Sequence, residues 1–227
     1  MKRFFESFVI IICIAFVLTG CGKNEEVTIE NKLNSEMRYI EDLIFKLANK
    51  DAKGEFLEND IFNWQYVKDD VNAINDSWSN LVLDLTEINV KNEEIVEFGN
   101  ILSNLLISIS NEDHGVFTEK LAQMYEKIVK FEQSYSQNQN SIKKKQIKSQ
   151  ILKVYSIADK QDWPNAKTQI DSTLANYKNL MNDLEYAKEN TYNLNKIYVL
   201  LEEYRNSIYL ENYDLERMKY VGVIEEL

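Results

Sequence analysis

The chain holds one histidine and two cysteines, so any imidazole or thiolate chemistry must come from three side chains. His114 lies in the stretch Asn111-Glu112-Asp113-His114-Gly115. Catalytic triads and acid–base pairs built on imidazole need partners that are scarce here. A di-metal helical bundle needs two Glu-x-x-His motifs, and Asn111 stands where the glutamate of one would be. His114 therefore reads as a loop residue, and no catalytic or metal-ligating residue is assigned. Carboxylates fall in adjacent pairs: Asp69-Asp70, Glu93-Glu94, Glu112-Asp113 and Glu202-Glu203. Neighbours on a helix point about 100° apart, so such a pair does not build one site. Asp69 and Asp76, one heptad apart, do share a face. A weak calcium site at Glu112 and Asp113 lacks the loop spacing of an EF-hand. There is no glycine-rich phosphate loop and no Gly-x-Ser-x-Gly elbow. The sequence calls for no cofactor, and the expectation is a protein that is not an enzyme.

The cysteines have a different logic. Lys2 and Arg3 give a basic start, and Phe8 to Leu18 is an unbroken apolar run. As a helix that run is roughly 16 Å long, against about 30 Å of bilayer hydrocarbon. It is short for a membrane span and suited to the apolar region of a secretion signal. It ends at Leu18-Thr19-Gly20-Cys21, which resembles the lipobox of bacterial lipoproteins. That resemblance implies cleavage before Cys21, lipid on the Cys21 thiol and amine, and a protein anchored on the extracytoplasmic face of the cell membrane. Two or more acyl chains make a durable tether where one does not. An uncleaved anchor helix with an incidental cysteine is the alternative. With Cys13 removed and Cys21 acylated, the mature chain keeps no thiol for a disulfide, a metal or a nucleophile.

Removing Lys2, Arg3 and Glu6 takes 26 basic and 37 acidic residues to 24 and 36, a net charge of −12. That excess argues against nucleic acid as a partner and against broad adhesion to anionic lipid. The charge is uneven. Residues 33–137 carry 9 basic and 20 acidic residues, while residues 138–227 carry 13 of each. Asp69, Asp70, Asp76, Glu93 and Glu94 are the candidate acidic face, for a basic protein partner or for cations. A merely solubilising surface is the plainer reading. Lys143, Lys144, Lys145 and Lys148 form the only basic cluster, which is either a solvated face or a contact to anionic lipid or wall polymer.

These residues must be held by helices. One proline and six glycines in 227 residues leave too few turn formers for an all-β fold. Apolar residues recur at alternating steps of four and three. Leu33, Met37, Ile40, Ile44 and Leu47 form one seam. Val67, Val71, Ile74, Trp78, Leu81 and Leu85 form another, and Ile95, Phe98, Leu102, Leu105 and Ile109 a third. Phe117 to Ile128, Ile147 to Ala158, Ile170 to Leu184 and Leu194 to Ile208 continue the habit. Such seams predict amphipathic helices in near-antiparallel bundle packing. Asn63, Asn92 and Asp162, the last with Pro164 in the first turn, are placed to start helices. The tyrosines at 186, 192, 198, 204, 209, 213 and 220 step too widely to line one wall. Apart from Tyr204 in the seam, they are expected at seam edges with the hydroxyl in water.

Adding 99 to a seam position lands on another seam. Val67 maps to Ala166, Val71 to Ile170, Trp78 to Tyr177 and Leu81 to Leu180. Ile95, Phe98, Leu102, Leu105 and Ile109 map to Leu194, Ile197, Leu201, Tyr204 and Ile208, and Trp64 to Trp163. Only Ile74 meets a polar residue, Thr173. A heptad register would repeat at 98, so the offset indicates an internal duplication of a helical unit. The first helix joins the repeat only if about a dozen residues are missing from the second copy's loop.

The reading is all-α: antiparallel helical bundles of seven to eight helices, with an internal duplication of a helical unit at an offset of 99 residues. Residues 1–20 are a lipoprotein signal peptide and 21–32 a flexible tether. Residues 33–137 are an acidic helical unit and 138–227 a charge-balanced one. The polar stretch from Ser134 to Gln146 joins them, as linker or as helix. The expected role is a membrane-tethered, non-enzymatic scaffold or protein-interaction module. The alternative is a ligand-binding lipoprotein holding a cation or small solute between the units.

Overall fold

The computed structural model describes residues 24–136 and 138–227, with side chains for 32–136, 138–183 and 192–227. The expected signal peptide and Cys21 lie outside the described residues. Eight helices follow one another among those described: α1 (Asn24–Ala52), α2 (Gln65–Glu87), α3 (Asn92–Ser110), α4 (His114–Tyr135), α5 (Gln139–Asp159), α6 (Trp163–Met181), α7 (Leu184–Tyr209) and α8 (Tyr213–Glu226). A two-stranded hairpin, β1 (Leu57–Glu58) and β2 (Ile61–Phe62), interrupts the α1–α2 connection.

α1 begins at Asn24, inside the stretch expected to be a flexible tether. α4 ends at Tyr135 with Ser136 as its cap, and Asn138 caps the start of α5. The two helices fold back on each other, so there is no single rod through residues 134–146. Local chemistry sets most boundaries. The Asn63 side chain accepts from the Gln65 amide at 3.1 Å, and Asp162 caps α6 with Pro164 in its first turn. At α3 the cap is Lys91, and Asn92 is already helical, with Glu93 and Glu94 in the first turn where the helix dipole favours them.

Packing closes two four-helix cycles. α1, α2, α3 and α4 each touch the next, and α4 returns to α1; α5 to α8 repeat this pattern. A third cycle joins them: α1 packs on α4, α4 on α5, α5 on α8 and α8 on α1. This central ring has α2–α3 on one side and α6–α7 on the other. All the described seam residues bury against one another except Ile109, which is partly buried, and one continuous core runs from Leu33 to Leu227. Five tyrosines, Tyr125, Tyr155, Tyr177, Tyr204 and Tyr220, are fully buried. Tyr220 thus departs from the expected seam edge: its ring stacks on Tyr155 at 4.3 Å. Trp78 lies against Phe98 at 4.2 Å and near-parallel to Phe131 at 6.1 Å.

The two cycles agree in detail. Glu112 and Glu211 both adopt left-handed backbone (φ 56 and 52) in the turn before α4 and α8. Asp113 and Asn212 then cap those helices, accepting from Val116 N at 3.0 Å and Leu215 N at 2.9 Å. Ser108 and Ser207, each in the turn before, donate to the carbonyls of Leu105 and Tyr204. Every one of these pairs is separated by 99 residues. The two units thus share their turn and cap geometry at the offset that relates their seams, and differ in the hairpin between α1 and α2. Thr173 is fully buried, and its hydroxyl bonds only to the Gln169 carbonyl at 2.8 Å. That carbonyl already serves the helix, so the bond adds little. Thr173→Val should raise the urea midpoint by an amount worth about 1 kcal/mol, since it exchanges a buried hydroxyl for a methyl.

Candidate functional site

The central ring converges on one polar cluster. α1 supplies Asp51 in its last turn, and α4 supplies His114 as its first residue. α5 supplies Tyr155 and its last residue, Asp159. α8 supplies its first residue, Tyr213, and Arg217 one turn on. His114 is therefore helical and not, as expected from the sequence, a loop residue. Its Nε2 lies 2.8 Å from Asp51 Oδ1 and its Nδ1 lies 3.0 Å from Asp159 Oδ2. Tyr155 donates to Asp51 Oδ2 at 2.7 Å, and Arg217 Nη2 stands 3.6 Å from Asp51 Oδ1. Tyr213 donates to Asp159 Oδ1 at 2.8 Å and accepts from Arg217 Nη1 at 3.1 Å. Thr118 completes Asp159 at 3.1 Å, and Arg217 Nε donates to the Ala52 carbonyl at 3.1 Å. Phe62 of the hairpin closes over the imidazole at 4.9 Å, beside Trp64 and Phe117.

Burial opposes charge on His114, but the bonds to Asp159 and Asp51 outweigh it and hold the imidazole up to about 10. Burial likewise raises the Asp159 carboxyl, and His114 with Tyr213 and Thr118 more than reverses this, leaving it below the usual range. The ring is thus an imidazolium, donating from both nitrogens. Ligand atoms of Asp51, His114 and Asp159 all lie within 4.8 Å of one another, the arrangement a cation could use. A metal would need a ring lone pair, yet each nitrogen faces a different carboxylate, and Arg217 crowds the same Asp51 oxygen. Two carboxylates against imidazolium and guanidinium give a net charge of zero. The chemistry is that of a charge-neutral clasp joining four helices and both units.

A second buried network lies toward the other end of the ring. Lys145 of α5 bonds to Glu41 of α1 at 2.7 Å and Glu132 of α4 at 2.5 Å, while Tyr125 donates to Glu41 at 2.7 Å. This dissolves the basic cluster read from the sequence. Lys145 is internal, Lys143 pairs with Asp183, and Lys148 lies 5.0 Å over the Phe45 ring.

The candidate acidic face does not assemble as one surface. Asp69, Asp76 and Glu93 are exposed, Glu94 is half-buried, and Asp70 is paired with Lys46 at 2.7 Å. Asp69 and Asp70 sit near the start of α2, Glu93 and Glu94 at the start of α3, which runs back against it. The two pairs are roughly 25–30 Å apart along the helix axis, with Asp76 between them. Asp113 caps α4, so its carboxylate is engaged in the fold. An open groove of about 730 Å³ lies along α4, α5 and α6, lined by amides that include Gln133, Gln146, Gln150, Gln169, Asn176 and Asn179.

The clasp was hidden because its aspartates lie far from His114 in sequence. One local sign was present. Ile40, Ile44, Leu47 and Asp51 keep the core spacing, as do Ile151, Tyr155 and Asp159. A carboxylate on an apolar stripe needs a buried cation.

Fold and site define an all-α protein of two four-helix units, locked by an internal ion cluster, with no described helix long and apolar enough to cross a membrane. Part of it is similar to the non-toxic nonhemagglutinin type C of Clostridium botulinum C phage and the type D protein of Clostridium botulinum D phage. Each is 32% identical over 119 residues, covering 48% of this chain and 10% of the relative. The chain thus spans about a tenth of the length of the curated relatives it matches. No family model and no solved structure matches it.

Proposed function

We propose that the protein is a lipid-tethered, extracytoplasmic helical module whose work is to bind another protein and not to catalyse a reaction. The observation that carries this reading is the commitment of His114. The one imidazole in the chain holds protons on both nitrogens between two carboxylates, so it offers no lone pair to a substrate. The most concentrated polar site among the described residues is spent on joining the two units. A rigid body of this kind suits a scaffold. The tether rests on Leu18-Thr19-Gly20-Cys21 and the apolar run before it. The similarity to two proteins whose names record absence of toxicity and of hemagglutination is compatible with a non-enzymatic role.

Growing cells on an alkyne fatty acid should label the protein and send it to the detergent phase. Cys21→Ser should abolish the label and release the chain from membranes. Label surviving on the variant would remove the tether. A second reading is favoured by the amide groove, which runs between α4 of the first unit and α5 and α6 of the second. It would make the protein a carrier of a small polar solute, and a ligand-dependent rise in melting temperature would support it.

A further inference from the structure

The geometry points to a docking tip: we propose that the hairpin Leu57–Phe62 and the first two turns of α2 bind a basic protein surface carrying an exposed apolar side chain. The proposal rests on the tethered-module reading and narrows it to one end of the molecule. The second unit passes from α5 to α6 through residues 160–162, whereas the first inserts residues 53–64. The insertion is anchored. Phe56 is buried, Phe62 packs against it at 5.6 Å and against Trp64 at 4.5 Å, and Asn59 and Asp60 make the tight turn with left-handed backbone. Its outer side is not needed for that anchorage. Ile61 is 71% exposed, Tyr66 51% and Leu57 44%, which leaves apolar side chains in water at a rigid protrusion.

Charge selects the partner. Glu55, Glu58, Asp60 and Asp69 are exposed and have no ion pair among the described residues, while their neighbours Asp70 and Glu225 are matched by Lys46 and Lys53. Tyr66 and Asp69, three apart on α2, share one face. Against these four carboxylates the same surface carries one exposed lysine without an ion pair among the described residues, Lys68, so apolar contacts in a net-acidic ring favour a partner with lysine or arginine around an apolar centre, and disfavour an anionic bilayer or nucleic acid. Position agrees. Cys21 precedes α1 by three residues in the sequence. α1 has 29 residues and is about 43 Å long, and the hairpin follows its far end. A tethered copy presents the hairpin away from its anchor.

The test uses the full chain in intact cells, with a photo-crosslinking amino acid at Ile61 or, for comparison, at Val199, an exposed position on α7. Ile61 should give an adduct whose crosslinked peptide, identified by mass spectrometry, carries more lysine and arginine than aspartate and glutamate. Val199 should not. Glu55→Lys with Asp69→Lys, at two exposed positions outside the turn, should cut the yield about five-fold with the melting temperature unchanged, and so should about 0.5 M salt, which screens charges beyond roughly 4 Å. No adduct at Ile61, an adduct to lipid, to a second copy or to a neutral or acidic peptide, or a yield indifferent to charge reversal would overturn the proposal. Fractionating the same cells separates the two readings. Ile61 adducts on protein found away from membranes would end the tether and leave the tip standing.

Discussion

Asp51→Asn lowers the unfolding free energy by about 3–5 kcal/mol, the usual cost of breaking a buried ion cluster from one side. The substitution keeps the shape of the side chain and removes only its charge. Asp51 is 1% exposed and receives His114 of α4, Tyr155 of α5 and the approach of Arg217 of α8. Without its charge, imidazolium and guanidinium share the single carboxylate of Asp159, and the buried cluster carries a net positive charge. Urea unfolding at neutral pH measures the loss. Asp51→Asn combined with Arg217→Met restores neutrality and should recover about 1–3 kcal/mol of it, a coupling expected of groups in contact. A loss below about 1 kcal/mol for the single variant would mean that the clasp does not hold the ring together.

The same cluster fixes a dependence on pH. The His114 imidazole is held up to about 10 in the folded protein and titrates near 6.5 when unfolded. Below about 6.5 both states hold the proton, and the contribution of the pair is complete. Between about 6.5 and 10 only the folded state holds it, so stability falls as pH rises. Above about 10 the proton, and with it the ion pairing, is gone. The ring is 28% exposed on its side chain, so solvent screens part of the effect and about 3 kcal/mol is the scale. His114→Gln should start lower and flatten this limb.

Helices were legible because burial of a stripe is a local property. Leu33, Met37, Ile40, Ile44 and Leu47 are all fully buried, and their spacing alone required a shared face. The seams offset by 99 residues bury matched positions for the same reason, as Val71 and Ile170 show, both fully buried. What escaped was long-range pairing. Nothing near His114 announces Asp51 or Asp159, because a bundle brings together helix ends that the chain separates. The lysines at 143, 145 and 148 looked like one basic patch because adjacency in sequence hides the turn of the helix, which sends them to Asp183, to Glu41 and Glu132, and to the Phe45 ring. Tyr220 was misplaced because α8 carries little amphipathic contrast, being covered by α5, α7 and α1 together.

Glu216→Gln should stabilise the protein, and only above a defined pH. Glu216 is fully buried on α8, one residue before Arg217. One oxygen accepts from the Tyr204 hydroxyl at 2.7 Å, while the other has no partner among the described residues, as is true of the buried Tyr220 hydroxyl one turn on. Burial pushes the carboxyl up to about 8, against the opposing bond from Tyr204, and the charges of Asp159 and Asp51 push the same way. Near pH 7 the folded protein therefore holds a proton that the unfolded chain, with an ordinary glutamate near 4.3, does not. Proton uptake on folding makes stability fall as pH rises from about 4.3 to 8, at up to about 1.4 kcal/mol per unit. Glutamine mimics the protonated acid and keeps an oxygen for Tyr204. Below about pH 4.3 variant and wild type should unfold alike, and by pH 8 the variant should lead by roughly 2–4 kcal/mol. Taking the difference between the two melting curves at each pH cancels every other titrating group. A flat difference across that window would mean that Glu216 folds with its charge intact, and that the end of the ring around Tyr204 and Tyr220 is polar enough to hold a carboxylate.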